Sequence, residues 1–452
     1  MDNPSAYRGP RRHRGALLLR QAAYNLRGGF LVRPLLIALV LGAAGALLSA
    51  GEEAVPALSA WVPRVLFPSH HDPQVAQVIL GCIAASMMTV VSIVFAILLM
   101  TLTLASMQFS PRIIVSFSQD RVTQQTLGIF LGTFTYCLAA LPAARALPHA
   151  FEPVLTVLGA MLLALACVGW LLFFIHHISQ AISVNHIVDC IAQETEGIMD
   201  DTMPKPLREH RLPDPDPPAA SGHEAAVLSP ASGYVRFIDS VRLVALAKAY
   251  SITVHVVRRV GHFVPQGVPL LSVTKSDKLT PSLRAALQEA FDIGPTRTLQ
   301  QDVGFGILQI VDIALKAISP AVNDPSTGIT CVDQLSRILI RFASREPPDT
   351  LLYGPPGTLR VTIPWLGFER LVDSAFEQIR LYAKTDVAVS LRLLRALADI
   401  AATVTDPAFH RVLVSRAQRI VTGCAEGLGD DEMSEMRLRL TALEQDTRAP
   451  EG

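Results

Sequence analysis

Residues 75–107 read VAQVILGCIAASMMTVVSIVFAILLMTLTLASM, thirty-three positions without one charged side chain. A helix rises about 1.5 Å per residue and needs about 20 residues to cross the hydrocarbon core of a bilayer. This run is therefore long enough to span a membrane and to tilt or project beyond it. Outward from it, residues 34–50, 125–144 and 153–177 are also apolar over membrane-crossing lengths, so four transmembrane helices are expected. From Pro34 to Ile178 the only charged side chains are Glu52, Glu53, Arg64, Asp72, Arg112, Asp120, Arg121, Arg145 and Glu152. The first lysine in the chain is Lys205. Over all 452 residues, 17% are charged, against about 25% in an average soluble domain. That asymmetry excludes a uniformly water-soluble protein. The 39 basic residues balance the 39 acidic ones, so no global basic field exists and nucleic acid is not an expected partner.

Arg8, Arg11, Arg12, Arg14, Arg20, Arg27 and Arg33 precede the first apolar run. By the positive-inside rule they place the N-terminus in the cytoplasm, and Arg112 and Arg121 after the second run agree. Four crossings then return the C-terminal part to the same side. Gly51, Glu52 and Glu53 read as the start of an outward loop. The six cysteines are far apart and form no C-x-x-C pair, which argues against a disulfide framework or a zinc site.

Past the fourth run, Val184, Ile187, Ile191 and Ile198 recur at heptad-like steps. This seam reads either as a self-associating helix between membrane and cytoplasm or as an amphipathic helix packed on its own domain. The organisation expected is a basic segment (1–33), a membrane domain (34–178), a juxtamembrane helix (179–203), a proline-rich linker (204–230), a small β domain (231–275) and a mainly helical domain (276–446). The fold class is thus a mainly α membrane protein with a cytoplasmic α+β region. In the β domain, G-H-F-V-P-Q-G-V-P-L at residues 261–270 resembles the hammerhead turn of biotinyl- and lipoyl-type sandwich domains. Those carry their cofactor on a lysine at a hairpin tip. Lys248, Lys275 and Lys278 do not occupy such a place, so no cofactor is expected.

Two longer motifs carry a family resemblance. The first is Q-F-S-P-R-I at residues 108–113 with Phe117, Asp120, Gln124, Leu127-Gly128 and the run Thr133–Tyr136. The second is D-V-G-F-G-I-L-Q-I-V-D-I-A-L-K-A-I-S-P-A-V-N-D-P at residues 302–325. Together they resemble a bacterial family of predicted membrane proteins, domain of unknown function 2254, over roughly residues 31–414. The resemblance implies membrane helices followed by a cytoplasmic region in a bacterial inner membrane. It implies no particular activity.

Two groups of residues are candidate sites. At 100° per residue, Ala85, Thr89, Ser92, Ala96 and Thr103 share one face of the second span, with Ser86 at its edge. Such a stripe either lines a pore between copies of the chain or permits close helix packing. In the C-terminal half, Asp302, Asp312, Asn323 and Asp324 form the densest polar cluster, with Asp324 or Asn323 placed to cap a helix beginning at Pro325. Helix capping and surface solvation account for these residues as well as a site does. His70 and His71 beside Asp72 could bind a divalent metal, but neighbouring side chains point apart on a helix or strand, so no metal is expected. His176, His177 and His186 either sense pH or simply mark the membrane interface. No P-loop, dinucleotide fingerprint, H-E-x-x-H or G-x-S-x-G occurs, so an enzyme is not expected. The functional expectation is a homo-oligomeric membrane protein, either a channel passing ions or a non-conducting scaffold or sensor.

Overall fold

The computed structural model describes residues 31–55, 73–108, 121–143, 153–181, 183–203, 224–346, 348–354 and 357–446. The arginine-rich segment before residue 31, His70, His71, most of the Q-F-S-P-R-I motif and residues 204–223 of the proline-rich linker lie outside them, whereas the rest of that linker contains a strand, Ala225–Leu228. The chain divides into two compact units, Met1–Ser183 and Val184–Gly452.

The first unit contains α1 (Val32–Ala54), α2 (Pro73–Gln108), α3 (Arg121–Ala140) and α4 (Val154–Ala181). Among the described residues, three helices are long and apolar enough to cross a membrane: α1, α2 and α4. The third expected span, α3, is different in kind. It carries Thr123, Gln124, Thr126 and Thr133, all buried, because α1, α2 and α4 pack around it. A helix shielded by other helices need not be apolar, provided its polar groups find partners. Several do: Thr135 Oγ1 donates to Ala38 O at 2.7 Å, and Tyr136 Oη donates to Thr156 O at 3.0 Å. Trp170 Nε1 donates to Thr126 Oγ1 at 2.9 Å. Outside this centre, α1, α2 and α4 expose Leu39, Leu47, Ile93, Met100, Leu165 and Leu172.

Small residues set the α1–α3 contact. A Cβ added at Gly45 would lie 2.7 Å from Tyr136 O, and one at Gly132 would collide with Leu41 Cδ1. The G-x-x-x-G spacing of Gly128 and Gly132 is thus a close-packing face. Glu52 corrects the sequence reading, since it sits in the last turn of α1 rather than in a loop, and it is fully buried. Its carboxylate accepts from Leu155 N at 2.8 Å and from Thr156 N and Oγ1 at 3.1 and 3.0 Å. It thereby caps α4 from another helix, where a negative charge meets the positive end of the helix dipole.

The second unit opens with α5 (Val184–Thr202). Ile187, Ile191 and Ile198 are buried, and α5 packs against α8 (Val303–Ala317) and α9 (Pro325–Ala343). Of the two readings of the heptad seam, packing within its own domain is the one realised. Arg337 of α9 bridges Asp189 and Glu196 of α5 at 2.8 and 2.6 Å, which orients that contact.

The β structure reaches beyond residues 231–275. A five-stranded sheet has the order β1 (Ala225–Leu228), β5 (Pro269–Val273), β3 (Val254–Val256), β8 (Thr358–Thr362), β7 (Leu351–Gly354). Its pairs are antiparallel except β3 with β8. A three-stranded antiparallel sheet has the order β4 (Phe263–Val264), β2 (Gly233–Ile238), β6 (Phe291–Gly294). β3 and β8 pair through Val254 with Val361 and His255 with Thr362, 107 residues apart in sequence, which local pattern does not reveal. α6 (Ser240–Tyr250) and α7 (Pro281–Gln288) share the β core through Leu243, Leu283 and Leu287. Lys275 and Lys278 donate to Ser251 O and Tyr250 O at 3.1 and 3.2 Å. The rest is helical: α10 (Phe368–Tyr382), α11 (Val387–Ala401), α12 (Pro407–Cys424) and α13 (Asp430–Asp446).

Candidate functional site

The α2 stripe lies on the outside of the first unit. Ala85, Ser86, Thr89, Ser92, Ala96 and Thr103 are all exposed. Ala76, Leu80, Met87, Val94 and Thr101 are buried against the rest of the bundle. At 100° per residue the two sets face about 180° apart. The chain's own helices therefore do not use the stripe for packing. Ser86, Ser92 and Thr103 donate their hydroxyl protons to the carbonyls of Cys82, Met88 and Leu99, at 2.7 to 2.9 Å. Thr89 does the same to Ala85 O at 3.2 Å. With their protons committed to the helix, these hydroxyls present oxygen lone pairs outward.

The cluster of four polar residues does not assemble. Asp302 caps the start of α8, whereas Asn323 and Asp324 lie past its end, about 22 Å away along a 15-residue helix. Asp312 lies between them on the helix. Ten residues of helical rise, about 15 Å, separate it from Asp302, whatever their phase. Asp324 accepts from Thr327 N at 3.1 Å and Thr327 Oγ1 at 2.6 Å, and these bonds hold its carboxyl below the usual carboxylate range. Asn323 is exposed, with φ +49° in the turn.

Around Asp302 the structure brings together residues that sequence reading missed. Asp302 is 6% exposed; Oδ1 accepts from Phe305 N at 3.1 Å, and Oδ2 takes Arg297 Nε and Nη2 at 2.9 and 2.8 Å. Gly261, at φ +86°, passes so close that an added Cβ would lie 2.5 Å from Asp302 Oδ2. Arg259 and His262 flank that turn. Burial pushes Arg259 below its ordinary value; Asp302 opposes this, while Arg370 and Arg297 add to it. His262 is pushed down by burial and then by Arg259, Arg258 and Arg297. A small cleft of about 50 Å³ adjoins, walled in part by Arg259, Gln301, Asp302, Gly304, Trp365 and Leu366. The one signal in the sequence was the pair Arg258-Arg259 ahead of a glycine turn. Among the described residues, no three His, Cys, Asp or Glu side chains are grouped to hold a metal ion.

A bundle with an apolar exterior and a buried polar centre, followed in the chain by an α+β unit, defines the class: a multi-helix membrane protein with a second, mixed α+β unit. More particularly, the chain belongs to the family described as "Predicted membrane protein (DUF2254)", which it matches over residues 27–399. It is 33% identical over 369 residues to the uncharacterized protein Rv1290c of Mycobacterium tuberculosis, covering 80% of this chain and 70% of that one. The uncharacterized protein Mb1321c of Mycobacterium bovis matches with the same identity and coverage. No solved structure matches.

Proposed function

We propose that this protein is a homo-oligomeric channel of a bacterial inner membrane, in which the α2 stripes of several copies face one another around a hydrophilic path. In this reading all four helices of the first unit cross the bilayer, with α3 shielded by the other three, and both termini are cytoplasmic. The observation that carries the reading is the outward, uncovered stripe of Ala85, Ser86, Thr89, Ser92, Ala96 and Thr103 on an otherwise apolar exterior. Lipid gains nothing from small polar side chains, whereas a second copy gains close approach and an ion gains hydroxyl acceptors. Self-association no longer draws on the α5 seam, which is occupied within its own unit.

The test is flux into liposomes from equal amounts of wild type and Thr89→Leu, with assembly checked by light scattering corrected for bound detergent. Wild type should pass ions, and Thr89→Leu should reduce the flux by narrowing and dewetting the path. Absence of wild-type flux for cations and anions alike, or a monomeric mass, would sink the proposal. A second reading, a non-conducting sensor, draws on the charged cleft beside Arg259. Outside-in labelling of a cysteine placed near Asp216 in intact cells would overturn the topology.

A further inference from the structure

The turn after β3, the segment entering α8 and the start of α10 contribute Arg258, Arg259, Arg297 and Arg370 to one neighbourhood of the second unit. Asp302 is the carboxylate acting on Arg259 there, and it is already committed. Its Oδ2 is held by Arg297, and its Oδ1 serves as the α8 cap. Among the described residues, Arg259 and Arg370 have no ion-pair partner within bonding distance. Arg258 Nε and His262 Nδ1 are buried without a hydrogen-bond partner. The half-buried Arg258, Arg259 and Arg297, with the exposed Arg370 nearby, raise each other's energy beside one neutralised acid, and an anion among them relieves that cost. The α8 helix end does not itself supply the attraction, because Asp302 already offsets it.

We propose that the cleft beside Arg259 binds the phosphoryl group of a small ligand, with Arg259 on its wall contacting the oxygens and Arg370 reinforcing the positive field. The cleft's 50 Å³ exceeds what a single water needs, so it has room for a small oxyanion. The planar guanidinium suits phosphate oxygens in a two-pronged contact. Trp365, Leu366 and Pro364 form apolar walls that exclude water and strengthen the charge–charge attraction. This inference concerns the second unit alone and stands or falls independently of ion conduction.

The test uses the full-length protein in detergent and phosphate-free buffer, with inorganic phosphate titrated by calorimetry and by thermal shift. Wild type should bind phosphate and be stabilised by it. Arg259→Gln should weaken binding at least tenfold, and Arg259→Lys should restore part of it. Arg370→Gln, at an exposed position, should weaken binding severalfold, and it carries the test if Arg259→Gln does not fold. A parallel arm adds phosphatidylglycerol or phosphatidylcholine to the micelles. A response to phosphate without one to phosphatidylglycerol assigns a soluble phosphorylated ligand; the reverse assigns a lipid headgroup. No response to either, or equal binding by wild type and both Gln variants, overturns the proposal.

Discussion

The two units handle polarity in opposite senses. In the first, the polar residues Thr123, Gln124, Thr126, Thr133 and Glu52 are buried, and large aliphatic side chains line the exterior. In the second, Leu335, Ile338, Leu371 and Leu397 are buried, and arginine–carboxylate pairs such as Arg341–Asp200 and Arg439–Glu435 lie toward solvent. Hydropathy therefore reports what a helix faces, not how deeply it is buried. α3 is the most enclosed helix of its unit, yet it is the one that does not qualify as a membrane span by composition. A bilayer offers no hydrophobic drive between helices, so small-residue contact and internal hydrogen bonds hold that unit together. In water the drive is burial, and polar contacts at the surface contribute little.

The largest way to break this comparison is at the α1–α3 contact. Gly45→Val should cost about 3 kcal/mol or more, because its side chain meets the Tyr136 backbone, which cannot swing aside. The check is the unfolding midpoint of the first unit in detergent. A shift no larger than that of an exposed substitution would mean the helices are not held by close approach.

Next come the two carboxylate caps. Glu52→Ala strips a buried helix end of its three hydrogen bonds and should cost about 2 kcal/mol. Asp324→Ala removes a largely solvent-facing cap and should cost about 1 kcal/mol. The Asp324 carboxyl is lowered in the folded state from its usual 3.8, so its contribution is present above that value. It is lost as pH falls below 3.8 through the folded value, and an acid titration of Asp324→Ala should lack that increment. If the two caps cost the same, the contrast between a buried and a solvent-facing cap fails.

The smallest effect is expected at the outer ion pair. Arg341→Gln should move the midpoint of the second unit less than either cap, and added salt should narrow the difference further. A large loss there would show that the second unit, too, depends on polar contacts.

Much of this was legible in order along the chain. The apolar runs marked α1, α2 and α4, and Pro325 after Asp324 marked a helix start that Asp324 does cap. Capping is local, within three residues, so sequence carries it. The α3 run was also visible, although its role at the centre was not. The α2 stripe could be read as a face, because helical phase follows from spacing; which side that face took could not. Other features join residues far apart: Glu52 to Thr156, β3 to β8, and Gly261 to Asp302. No periodicity links such positions.

Side-chain chemistry read along the chain is enough to show that part of this protein is built for lipid, where its apolar helices run and that a helix begins at Pro325. These depend on side-chain transfer energies and backbone geometry within one turn. Which faces meet, the enclosure of α3, the burial of the α5 seam in its own unit and the place of Arg259 among like charges beside a committed Asp302 emerge only from the folded arrangement. Those outcomes depend on packing between distant segments, where one close approach, as at Gly45 or Gly261, selects an arrangement that local preference leaves open.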